Sequence, residues 1–108
     1  MRRGPSHVGH AYAVGVQAAL ASFPGGDLVE KGIRDLRHAQ ESPEALLVSL
    51  GRPRLEALGL PVPAPFDAPE IRLYELLARD EPDAAHGRYN ALVRRLVSFE
   101  RAFACAGS

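Results

Sequence analysis

The sequence predicts an all-α protein, a bundle of five to six helices with a long amphipathic C-terminal helix and an apolar N-terminal helix. Three observations predict it. No stretch alternates apolar and polar residues for long enough to make a strand. Helix-opening and helix-ending residues cut the chain into about six pieces. The last piece repeats apolar residues at heptad spacing. The 108 residues are 46% hydrophobic and 24% charged, which fits one ordinary folded domain, taken as 1–108, and not a disordered chain.

The first helix spans roughly Ser6 to Ser22, stopped by Phe23-Pro24-Gly25-Gly26. Nearly every face of it is apolar, so it calls for enclosure on all sides. Asp27 with Glu30 three residues on reads as a capping box opening a second helix. Val29, Ile33, Leu36 and Ala39 form its apolar stripe. Ser42-Pro43-Glu44 opens a third helix, because the serine oxygen accepts from a free backbone N–H and proline lacks the donor that would go unpaired there. That helix runs through Ala45, Leu46, Leu47 and Leu50 to Gly51, and a short fourth turn runs from Pro53 to Leu58.

Gly59 to Pro65 reads as an extended internal connector, since Pro61, Pro63 and Pro65 hold their neighbours out of helical geometry. Asp67 with Glu70 makes a second capping box before a helix carrying Ile71, Leu73, Tyr74, Leu77 and Ala78. Asp80-Glu81-Pro82-Asp83 breaks that helix, and Asp83 is expected to cap the last. There Ala85, Tyr89, Leu92, Leu96, Phe99 and Phe103 form a heptad seam that Val93 and Val97 widen. Arg88 and Arg95 flank one edge of the seam, Glu100 borders the other, and Arg94 and Arg101 lie farther round.

Thirteen basic and thirteen acidic residues cancel, which argues against a general polyanion binder. Twelve arginines against one lysine, Lys31, read first as a coding bias. A single cysteine, Cys105, allows no intrachain disulfide and fits a reducing cytoplasm. Arg2 and Arg3 before the apolar stretch Ala11 to Ala21 imitate a signal peptide, but Gln17 interrupts the stretch and Gly15 weakens its helix. The run is also shorter than the ~20 residues that span a bilayer, so no membrane association is expected.

Candidate chemistry is sparse. His7 and His10 share a helical face, but zinc needs three or four ligands and nothing supplies the rest at a telling spacing, nor do His38 and His86. No metal and no cofactor is expected. Cys105 has no histidine near it in sequence to make a nucleophile pair, and Asp80, Glu81 and Asp83 read as turn and cap chemistry. His86, Arg88, Tyr89 and Asn90 make the densest polar patch, where backbone N–H groups near a helix start could join Arg88 in holding an anion. Glu44 to Leu58 loosely imitates a helix-turn-helix, with Arg52 and Arg54 at the turn, although its second helix is short for reading base edges.

The leading expectation is a non-enzymatic interaction module that self-associates, or serves another protein as an accessory subunit, through the C-terminal helix. Tyr89, Leu92, Leu96, Phe99 and Phe103 would form the interface, with Arg88, Arg95 and Glu100 setting register at the rim. The alternatives are a DNA-binding regulator contacting phosphates through Arg52, Arg54 and the arginines of the last helix, and a small ligand-binding protein or enzyme at His86, Arg88, Tyr89 and Asn90.

Overall fold

Serine followed by proline sets the centre of this structure, a computed structural model that describes residues 20–107. Among the described residues all regular structure is helical: α1 (Gly26–Arg37), α2 (Pro43–Leu50), α3 (Arg52–Ala57), α4 (Pro69–Asp80) and α5 (Ala85–Gly107), with a 3-10 turn at Pro82–Ala84. The apolar helix expected over Ser6–Ser22 lies outside the described residues except at its last three positions, of which Leu20 and Ala21 are helical.

Ser42 caps α2 as its chemistry demands, its Oγ accepting from the Ala45 N–H at 3.0 Å. The helix it opens is apolar all round, and Ala45, Leu46, Leu47, Val48 and Ser49 are all buried. It packs against α1 and α4 and also touches α3 and α5. Val29, Ile33 and Leu36 of α1 recur at helical spacing in the same core. Gly32 lets the two backbones approach, because a Cβ there would stand 2.5 Å from the Glu44 carbonyl oxygen. A buried polar cross-link completes this layer. Ser49 Oγ donates to the Ala45 carbonyl at 2.8 Å and accepts from Phe66 N–H at 3.1 Å, tying the connector onto α2.

Four expectations about helix ends need correction. α1 is entered through Gly25 in the left-handed region, φ 72°, with no side-chain cap. Asp27 lies inside the first turn and bonds instead to Arg95, 3.0 Å away on α5. Ala39 does not extend the apolar stripe, since α1 ends at Arg37 and Ala39 is exposed at φ 52°. There the Gln40 N–H reaches the Asp35 carbonyl at 2.9 Å and the Ala39 N–H reaches Leu36 at 3.0 Å, the paired bonds of a Schellman end. Asp67 does not cap α4, because Ala68 takes that place at φ 46° and Pro69 starts the helix. Asp83 likewise sits within the 3-10 turn that leads into α5 and makes no side-chain cap. In each pair involving proline or glycine, the residue that fixes or frees the backbone outcompetes the acidic side chain in setting the helix start.

The connector has no regular structure and is not extended throughout, since it bends at Ala64, φ 39°; it is pinned, with Leu60 and Val62 buried in the core. Gly59 at φ 91° turns the chain out of α3 into it. On α5 the heptad seam faces inward. Ala85, Leu96 and Phe99 are buried, and Tyr89, Leu92, Val93 and Phe103 pack partly buried against the same core. Phe23 closes the seam from outside, edge-on to Phe99 at 6.0 Å and to Phe103 at 5.3 Å. Aromatic edge-to-face pairs of this kind add about 0.5–1.5 kcal/mol beyond the area they bury.

Candidate functional site

The polar patch at the start of α5 does not converge on one point. Asn90 Nδ2 and His86 Nε2 lie 3.2 Å apart, one helical turn from each other on the exposed side. Arg88 turns the other way, 3.0 Å from Asp80 and 3.5 Å from Glu81 at the end of α4. Tyr89 leans on α4, its ring centroid 6.1 Å from that of Tyr74. The patch therefore divides: His86 and Asn90 pair with each other, Tyr89 leans on α4, and Arg88 already has two carboxylate partners.

Of the arginines expected at phosphates, Arg52 and Arg54 are also engaged. Arg52 Nε is 3.2 Å from Glu56 one turn along α3, and Arg54 lies 3.6 Å from Glu100. Helix α3 has six residues, which gives it less than two turns to present to a groove. Among the described residues no three His, Cys, Asp or Glu side chains are placed to hold a metal ion. His7 and His10 lie outside those residues. No described helix is long and apolar enough to cross a membrane.

The residues expected to form an interface are spent on this chain. Leu96 and Phe99 are buried in the core, with Tyr89, Leu92 and Phe103 partly buried around them. The three charges expected at the rim each have an intrachain partner: Arg88 with Asp80, Arg95 with Asp27, Glu100 with Arg54. Surface pairs of the first two kinds contribute at most about 1 kcal/mol and are weakened by salt.

Glu100 is the exception in this group. It is only 8% exposed, while its partner Arg54 has a side chain 75% exposed. Burial pushes the Glu100 carboxyl above the ordinary carboxylate range, and Arg54 opposes this without cancelling it. The carboxylate lies in the floor of a groove of about 350 Å³ between α3 and α5, where Val93, Leu96 and Val97 form one wall and Pro53 and Arg54 the other. A second cleft continues the groove past Leu58 and Val97 to Arg101 and Ala104. Gly51 leaves the floor open, since a Cβ there would meet Leu96 Cδ2 at 2.8 Å and Glu100 Oε2 at 3.5 Å.

Periodicity placed Glu100 at the border of the seam but gave no sign that α3 would fold over it. Gly51 reads in the sequence only as a helix end; in the structure its φ of −85° does not call for glycine, whereas the closeness of Leu96 does.

The other tight polar cluster holds α1 to α2. Lys31 Nζ is 2.6 Å from Asp35 and 3.5 Å from Glu44, and Ser42 Oγ donates to Asp35 at 2.7 Å. The Lys31 and Ser42 hydrogen bonds draw the Asp35 carboxyl below its ordinary range, and the bond to Asp35 raises Lys31. The cluster's groups satisfy one another around the Ser42 cap, which is a structural task.

Comparison with protein-family models, with curated proteins and with solved structures finds no match.

Proposed function

We propose that the chain is a non-enzymatic helical interaction module that self-associates through its C-terminal helix, using the edge of α5 that borders its own aromatic seam on the α3 side. One observation carries this reading: the open groove between α3 and α5. Its apolar walls, Val93 and Val97, stand next to Leu58, while its floor is acidic at Glu100 and its rim basic at Arg54 and Arg101. A surface bearing both signs suits an isologous dimer, in which a two-fold axis sets each copy's arginines against the other's carboxylate. Such pairing would give the buried Glu100 charge a closer partner than an exposed arginine at 3.6 Å.

A cytoplasmic location goes with this reading, because the one cysteine, Cys105, is free and exposed. Light scattering on the full chain tests the proposal. The expected molar mass is twice the 11.6 kDa of the chain, returning to the single value in Val97→Asp with helicity retained. A wild-type monomer across the accessible concentration range rejects self-association and leaves the accessory-subunit form of the reading, to be pursued through a different protein.

A further inference from the structure

Among the described residues the large apolar side chains left in solvent are on α4, on a surface separate from the α3–α5 groove. Ile71 is 62% exposed and Tyr74 41% exposed, and they sit three residues apart on one face of α4. Tyr89 of α5 extends the patch, its ring tilted 54° to that of Tyr74. Glu70 and Glu75 border this shallow depression. Neither makes an ion pair among the described residues, unlike Glu30, Glu41, Glu44 and Glu56. Glu70 stands near enough to Tyr89 for its charge, after burial, to hold the phenol in its neutral form.

An exposed aliphatic–aromatic centre with two unpaired carboxylates beside it has a definite complement. A second copy of the same patch would set glutamate against glutamate, so this surface is not self-matching. Arginine or lysine next to an aliphatic side chain answers all of its features. The cation can lie over a tyrosine face and reach a carboxylate, and the aliphatic group covers Ile71. We infer that this edge of α4 and α5 docks a basic, apolar peptide segment of a partner protein, with Tyr74 as the central contact and Glu70 and Glu75 holding the cations.

Fluorescence anisotropy with the full-length chain tests this, using labelled peptides of alternating arginine and leucine, arginine and serine, and glutamate and leucine. The arginine–leucine peptide is expected to bind. Tyr74→Ser should weaken it about tenfold, as should Glu70→Gln combined with Glu75→Gln, and the second pair should also flatten the salt dependence. Because these side chains are exposed, circular dichroism should stay unchanged. Val97→Asp should leave peptide binding intact, which separates this site from self-association. Absence of binding, equal binding of the arginine–serine peptide, or an affinity indifferent to Tyr74→Ser overturns the inference. So does a dimer that Tyr74→Ser dissolves, since the occupant would then be a second copy.

Discussion

The two sides of α5 differ in what closes them. On one side Leu92, Leu96, Phe99 and Phe103 are covered by Phe23 and the core, and the charges at the edge are paired at 3.0 Å or so with Asp27 and Asp80. On the other side Val97 and Glu100, with Val93 at the margin of the core, face the end of α2 and the short helix α3 across an open groove that holds a buried carboxylate with one exposed partner. In this chain the heptad seam is turned into its own core. The apolar repeat marks the side the chain needs for itself, and the second, narrower apolar edge is the one left over.

Substitutions should separate these two sides by size of effect. Phe99→Ala removes a fully buried ring and should cost about 3–5 kcal/mol in denaturant unfolding. Val97→Asp, at a half-buried groove position, should abolish the dimer while leaving the unfolding midpoint close to that of the parent chain. A large loss of stability in Val97→Asp would erase the distinction. Gly51→Ala bridges the two sides: its Cβ would stand 2.8 Å from Cδ2 of buried Leu96, so it should cost about 1–3 kcal/mol of stability as Leu96 shifts, while a partly filled groove weakens self-association.

The carboxylates give a pH signature. Glu100 is raised in the folded state by burial, so it favours the fold below the ordinary carboxylate range, and that contribution is lost as pH rises through its folded value. Glu100→Gln should therefore gain stability relative to the parent chain near neutral pH and lose that advantage in acid. Asp35 has the opposite sign: its folded value is depressed by Lys31 and Ser42, so its contribution is present above the ordinary range and lost as pH falls. Asp35→Asn should consequently destabilise most near neutrality. Denaturant midpoints measured across pH 3 to 8 distinguish the two. The smallest effect is expected at Ala39, held at φ 52° where glycine is the easier residue. Ala39→Gly should stabilise by about 0.5 kcal/mol, since relief of left-handed strain is partly offset by the freedom glycine loses on folding.

The sequence carried its helices where local chemistry is decisive. Ser42-Pro43 starts α2, Gly51 and Gly59 end α2 and α3, and the heptad positions of α5 face inward. Two Schellman ends show where legibility stops. At Gly59 the Leu60 N–H reaches Leu55 at 2.9 Å, and the glycine announces the turn. At Ala39 the same bond pattern is made by a residue that reads as a helix former, because the packing of α1 against α2 fixes where α1 must stop. Asp27 and Asp67 show the converse, good caps in isolation displaced by neighbouring glycine and proline. The groove was least legible of all. It depends on Gly51, Arg54 and Glu100 meeting across nearly fifty residues of chain, and no local pattern encodes that meeting.

Molar mass by light scattering, compared between the parent chain and Val97→Asp at two concentrations and two salt levels, tests the central claim most directly. Self-association through the groove requires a parent dimer that Val97→Asp converts to a folded monomer. A parent chain that stays at 11.6 kDa, or a dimer that Val97→Asp leaves intact, would contradict it.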